Sequence, residues 1–213
     1  MGIAGSVKLY DDMKNLQPKD GMMVKIEGTS FVAYTDTAGI YQFEEVPYGT
    51  YNLSYEKDGY GTYKQIGFIH SNDGDGKPAV VPAATLGKTS STTVTDLSVK
   101  INADTIRLTS TISPAGTNDS ARNVRYFFGA DTTVSSFTYL GQSKAYEIKG
   151  QYGIWKMLQS DFITMGFTSG QTVYVKAYGD AEHSNEYINT GTGKLIFPNV
   201  NTTVFADTSF VLP

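Results

Sequence analysis

From Val24 to Tyr60 polar and apolar side chains alternate, and Thr35-Asp36-Thr37-Ala38-Gly39 and Val46-Pro47-Tyr48-Gly49 cut the run into short pieces. A period of two turns one face of each piece toward a core and the other toward water, which is the signature of a half-buried strand. Asp, Gly and Pro between the pieces supply the dihedral angles of tight turns. A chain written this way doubles back every few residues and pairs with itself. It predicts a small antiparallel β-sandwich, and nothing in the run has the pattern of a catalytic site.

The whole chain has 213 residues, which fits two domains of about 100 residues each. Hydrophobic residues make up 40% and charged residues 18%, a balance that can fill a core. The lean toward Gly, Thr, Tyr and Val suits pleated surfaces. Net charge is −4, so no basic field gathers phosphates, and nucleic acid is not an expected partner. With no cysteine, disulfides, thiolate metal sites and cysteine nucleophiles are excluded. No apolar run reaches the roughly 20 residues that span a bilayer. Met1-Gly2-Ile3-Ala4-Gly5 lacks the basic start and apolar core of a secretory signal, so an exported protein would be represented here in mature or trimmed form.

Gly5, Val7 and Leu9 share one face of a first strand, and Val24-Lys25-Ile26 follows a polar loop. Phe31 to Tyr34 and Ile40 to Phe43 flank the Asp36–Gly39 turn as an expected hairpin. Tyr51, Leu53 and Tyr55 line one face of the next strand, and Tyr63 to Ile69 reads as strand again. These residues carry a resemblance. Gly5-x-Val7, Val24-x-Ile26-x-Gly28, Thr35-Asp36-x-x-Gly39-x-Tyr41-x-Phe43, Val46-Pro47-x-Gly49-x-Tyr51 and Gly59-Tyr60 resemble the carboxypeptidase regulatory-like domain over about the first 85 residues. The resemblance implies a transthyretin-like (prealbumin-like) β-sandwich at residues 1–88, a non-catalytic module of metallocarboxypeptidases, outer-membrane receptors and surface proteins. It carries over no catalytic residue.

The polar run Gly87 to Thr93 reads as a boundary, and beyond it the alternation restarts. Leu97, Val99 and Ile101 alternate, as do Ile106 and Leu108; Val124 to Phe128, Thr172 to Tyr178 and Lys194 to Phe197 follow. Gly170 and the Thr172-x-Tyr174-x-x-Ala177-Tyr178 run resemble the penultimate strand of a fibronectin type III domain, although Trp155 lies in the middle section rather than in an early strand. The expected fold class is therefore all-β, with two tandem β-sandwich domains: transthyretin-like at 1–88, then fibronectin III or immunoglobulin-like at 93–213.

Candidates for chemistry are few. Ser71, Asp73 and Asp75 with Gly76 could open a calcium loop, but Pro82 stands where the closing bidentate carboxylate belongs. Asp180, His183 and Ser184 place triad side-chain types within a few residues, yet neighbours along a loop rarely reach triad geometry and no Gly-x-Ser-x-Gly elbow exists. His70 and His183 are the only histidines, too far apart in sequence for an obvious zinc site. Glu44 and Glu45 are adjacent, so they point to opposite faces and cannot flank one sugar bond; Asp11-Asp12 reads as solvated charge. Tyr48, Tyr51, Tyr55, Tyr60 and Tyr63 could form a platform for sugar stacking, or serve as core and cross-strand residues. Sequons stand at Asn52, Asn118 and Asn201.

No catalytic, cofactor or metal residue is assigned. The expected role is non-enzymatic: a cell-surface or secreted module for adhesion, for binding extracellular glycan or protein, or for structural presentation. The resemblance places it at the outer surface, as in exported proteins of Bacteroidetes-type bacteria, with lipid anchoring of the full-length protein as the expected tether. The alternatives are an accessory domain pair of a polysaccharide-uptake or outer-membrane transport system and, last, a hydrolase built on Asp180, His183 and Ser184.

Overall fold

A computed structural model describes residues 1–72 and 76–213. The protein is all-β with several sheets arranged as β-sandwiches. Its chain forms two compact units, Met1–Thr89 with His183–Asn199 and Ser90–Glu182 with Val200–Pro213.

The first unit opens with β1 (Ile3–Tyr10), β2 (Leu16–Gln17), β3 (Met23–Ile26), β4 (Val32–Tyr34) and β5 (Ile40–Phe43). It continues with β6 (Gly49–Glu56), β7 (Tyr63–His70), β8 (Ala79–Val80) and β9 (Ala84–Gly87). One sheet is built around β1, which pairs antiparallel with β2 and β5 and parallel with β8 and β9. The other runs β4-β3-β6-β7. Alternation does the folding here: Ile3, Val7 and Leu9 of β1 meet Val24, Ile26, Leu53 and Tyr55 in a single core.

The Asp36–Gly39 turn is not the expected hairpin. Strand β4 pairs with β3 in one sheet, whereas β5 pairs with β1 in the other, so the turn carries the chain across the sandwich. Asp36 closes it by accepting the Ile40 amide at 2.8 Å, and Gly39 takes a φ of 83° with its carbonyl accepting from the Val7 amide at 2.8 Å. A side chain at Gly39 would also run into the Val7 carbonyl. The local turn chemistry is as read; which strand each arm joins is a matter of the sheets.

The second unit begins with β10 (Thr93–Asn102), β11 (Thr105–Ser113), β12 (Arg122–Gly129), β13 (Gly141–Gln142) and β14 (Tyr146–Ile148). Then come β15 (Tyr152–Leu158), the short helix α1 (Gln159–Thr164) and β16 (Thr172–Asp180). The chain next forms a small hairpin, β17 (Tyr187–Ile188) with β18 (Leu195–Ile196), and ends in β19 (Asn201–Val211). Sheet β10-β11-β15 faces sheet β13-β12-β16-β19, to which β14 adds through β12. Val94, Ile106, Leu108, Tyr126, Phe128, Val175 and Phe210 fill the space between them, and Phe162 of α1 plugs the same core.

The hairpin segment His183–Asn199 belongs with the first unit although its neighbours in sequence build the second, so the second sandwich is not one unbroken stretch of chain. Within the first unit β17 lies beside β7. Asn185 accepts from the Gly87 amide and donates to the Gly87 carbonyl, both at 2.8 Å. This amide pair takes the place of a strand partner at the end of β9 and satisfies groups that would be costly to bury unpaired. His183 stacks on Tyr10 with ring centroids 4.6 Å apart.

Each sandwich is pinned across its core by a tyrosine hydroxyl. Tyr41 of β5 and Tyr55 of β6 share a hydrogen bond of 2.7 Å, and Tyr126 of β12 does the same with Ser110 of β11 at 2.7 Å. Gly5 opposite Tyr41 is required by this arrangement, since a Cβ there would overlap the Tyr41 ring and hydroxyl. Burial pushes both Tyr41 and Tyr126 up to about 12, against the lowering effect of their hydroxyl partners. Burial, then the neighbouring Tyr41, raises Tyr55 as well.

Candidate functional site

The outer face of the β12-β16-β19 sheet, on the side away from the core, is the best-formed candidate. Alternation along β16 turns Val173, Val175 and Ala177 inward and leaves Tyr174, Lys176 and Tyr178 facing out. Along β19 the same rule puts Phe205, Asp207 and Ser209 outward. In register, Lys176 stands between Phe127 of β12 and Asp207 of β19, and Tyr174 between Gly129 and Ser209.

Aromatic rings form the floor. Phe127 packs on Tyr139 at 5.3 Å and on Tyr178 at 5.6 Å, and Tyr178 packs on Phe205 at 5.3 Å. These are edge and tilted geometries of the kind aromatic pairs prefer. The Lys176 ammonium lies 5.1 Å above the Phe205 ring, within cation–π range. Phe205 is 42% exposed whereas Phe127 is fully buried, so the row runs from a covered anchor to an open edge. An open pocket of about 230 Å³ adjoins it, lined by Thr132, Val134, Tyr174, Lys176, Asp207, Thr208 and Ser209.

The loop after β12 roofs one end of this face. Asp131 accepts from the Thr133 amide at 2.8 Å and from its hydroxyl at 2.5 Å, which holds the Asp131 carboxyl below its usual range. Val134 then folds over Gly129, where any Cβ would strike it. Burial raises the Tyr178 hydroxyl, offset in part by its bond to the Ser136 backbone and reinforced by the charge of Asp207.

A buried ion pair braces the other end. Arg125 Nε donates to Asp180 Oδ2 at 2.6 Å, with both side chains almost wholly withdrawn from water. The guanidinium also donates to the Gln142 side chain at 2.9 Å and the Ser143 carbonyl at 3.0 Å, tying β13 to β12. Multiple hydrogen bonds of this kind are what make a buried charge pair tolerable.

Asp180 of this ion pair is also the acid of the triad-like cluster in the sequence. Asp180 spends its carboxylate on Arg125 and on the Ala181 amide at 2.8 Å. The Ser184 hydroxyl donates to Glu186 at 3.0 Å, and His183 packs its ring on Tyr10. The expected calcium loop has Asp73 and Asp75 outside the described residues; among the described residues no group of three or more His, Asp or Glu is placed to hold a metal ion. Glu44 and Glu45 are both exposed.

The tyrosine platform does not hold together as one surface. Tyr55 is core, and Tyr51 and Tyr63 are half-buried, their hydroxyls donating to the Pro47 carbonyl at 2.9 Å and the Gln65 side chain at 3.2 Å. Tyr60 is half-buried and pushed up to about 12, first by burial and then by Asp11. Of the five, Tyr48 is the exposed one, tilted over His70 at 5.1 Å. Of the sequons, Asn201 is buried and donates to the Thr92 carbonyl at 3.0 Å, which leaves no room for a glycan there. The residues that sequence reading missed are Phe127, Lys176, Phe205 and Asp207. Phe127 and Lys176 lie in strands that alternation already marks, and the signal for Phe205 and Asp207 is the period of two from Val204 to Phe210.

No protein-family profile matches this chain, and no curated protein sequence does. Solved structures show distant likenesses. A candidate carbohydrate-binding protein from Bacteroides uniformis is 14% identical, with 99% of this chain and 98% of that one covered and a TM-score of 0.38. A DUF3823 family protein from Bacteroides ovatus is 12% identical over 100% of this chain and 99% of that one, TM-score 0.33. The major pilin subunit of Bacillus cereus is 11% identical over 99% of this chain and 69% of that one, TM-score 0.29. At these scores the likenesses carry no inference about ligand or activity. No described helix is long and apolar enough to cross a membrane.

Proposed function

We propose that this chain is a non-enzymatic binding module of a cell-surface or secreted bacterial protein, and that the outer face of β12-β16-β19 takes a glycan. The observation that carries the reading is the graded aromatic row from Phe127 to Phe205 with Lys176, Asp207 and Ser209 beside it. Flat apolar rings next to a few convergent polar groups are the composition of a small-molecule site. Sugars offer both an apolar C–H face and a ring of hydroxyls, so Phe205 supplies stacking and Lys176 and Asp207 supply donor and acceptor. The energy comes from desolvation and hydrogen bonds rather than from covalent chemistry.

The family assignments belong to the same proposal. The first unit is read as carboxypeptidase regulatory-like, supported by the linked turn motifs and by two sheets that sandwich Tyr41 and Tyr55. The second is read as fibronectin type III-like, supported by β10, β11 and β15 in one sheet facing β12, β16 and β19 in the other. Outer-surface placement and lipid anchoring rest on the resemblance of the first unit.

A glycan array with the purified chain, followed by calorimetry on the best neutral oligosaccharide, tests the reading. Binding that falls at least tenfold in Phe205→Ala and in Asp207→Ala, with unchanged circular dichroism, is expected. Absence of any captured glycan, or capture indifferent to both substitutions, overturns it.

A further inference from the structure

The other sheet of the second unit carries a different surface. Across β10-β11-β15, Lys100 is in register with Arg107, and Arg107 with Lys156. All three are exposed on the outer face, because their neighbours Ile106, Leu108 and Met157 point into the core. Three cations therefore stand side by side in a row about 10 Å long, two inter-strand steps. Among the described residues none of the three side chains is engaged in an ion pair or hydrogen bond. The acidic groups closest in sequence are Asp96, four residues before Lys100 on β10, and Asp104 at the β10-β11 turn, which accepts from the Thr105 hydroxyl at 3.2 Å.

Like charges directly opposite one another on a sheet are destabilising, so the row costs stability in a chain whose net charge is −4. Lysine on the edge strands β10 and β15 is explained by protection of open edges. Arg107, on the central strand, has no such explanation. Beside the row, Ile154 and Leu158 flank Lys156 on the same face, 39% and 46% exposed, with Tyr152 beyond at 66%.

We propose that this row binds a linear polyuronate, a carboxylated polysaccharide laid across the three strands. Successive carboxylates of the extended chain meet successive cations, with Arg107 able to take one of them through two parallel N–H donors. The exposed apolar residues of β15 receive the C–H faces of the sugar rings. Charge complementarity picks the anionic polymer, and the shortness of the row together with the chain's overall negative charge disfavours a densely charged polymer such as nucleic acid.

The test is binding of polygalacturonate oligomers to the full chain by calorimetry in low salt, with fully methyl-esterified oligomers, dextran sulfate and a single-stranded oligonucleotide as parallel ligands. Polygalacturonate should bind tightest, weaken as salt is raised, and lose at least tenfold in affinity in Arg107→Gln and in the triple variant K100Q/R107Q/K156Q. The methyl ester should not bind. Because the three side chains are exposed, the variants should melt no lower than the parent. Phe205→Ala should leave this binding unchanged, which separates it from the aromatic face. Retention of affinity in the triple variant, equal binding of the methyl ester, or tighter binding of dextran sulfate or the oligonucleotide overturns the proposal.

Discussion

In the first unit Tyr41, Phe43, Tyr55 and Tyr63 stack on one another toward the core, at centroid distances of 5.8, 5.9 and 5.5 Å. In the second, Phe127, Tyr139, Tyr178 and Phe205 stack at closely similar distances on the face turned away from the core. Ring chemistry and spacing are nearly the same in the two regions. What differs is the cover. The first cluster is closed between two sheets, whereas the second has only the loop after β12 over one end and is open at Phe205 and Lys176. An aromatic cluster becomes a candidate site where one layer of the sandwich is missing above it.

The largest expected effect tests the anchor of the outward row. Phe127→Ala should cost the second unit about 3–5 kcal/mol, the usual loss for a fully buried ring, read as a lower urea midpoint. A loss below about 1 kcal/mol would mean that the row is a loose surface feature, and the contrast with the first cluster would collapse.

Next comes alkaline pH, where the two units should behave alike. Tyr41 and Tyr126 are held at about 12 in the folded protein against an unfolded value of 10.0. The folded state therefore keeps these protons after the unfolded chain has begun to release them. Stability is fully present below pH 10 and declines between pH 10 and about 12, by roughly 2–3 kcal/mol per group. Denaturation midpoints measured from pH 8 to 12 check this, and a flat profile would show the hydroxyls to be in contact with water.

A smaller effect separates the clusters again. Tyr55→Phe leaves the Tyr41 hydroxyl buried without its partner and should cost about 1–3 kcal/mol. Phe205→Ala, at the open edge, should shift stability by under about 1 kcal/mol while removing glycan binding. Thermal melts of the two variants side by side give the comparison directly.

Much of the first unit was legible from residue order. Strands β1, β3, β5, β6 and β7 lie where period-two alternation puts them, and Gly39 takes the positive φ that its turn implied. The site was less so. Five tyrosines lie close in sequence between Tyr48 and Tyr63 and read as one platform, yet the fold sends Tyr55 into the core and leaves Tyr48 exposed. Phe127 and Phe205, far apart in the chain, are brought to one face through β16. The Asp36–Gly39 turn was legible as a turn and not as a crossing between sheets, because its hydrogen bonds are local and its sheet partners are not.

Residue order alone determined that this chain is built from β-strands, since alternation and turn chemistry act within a few residues and need no partner to be recognised. It also ruled out thiol chemistry and placed the only two histidines far apart. Tertiary structure alone decided that His183–Asn199 groups with the first unit, that Asp180 is spent on Arg125, and that Lys100, Arg107 and Lys156 form one row. The physical reason is common to all three: alternation says whether a side chain points in or out, but register and pairing between distant strands decide whom it meets.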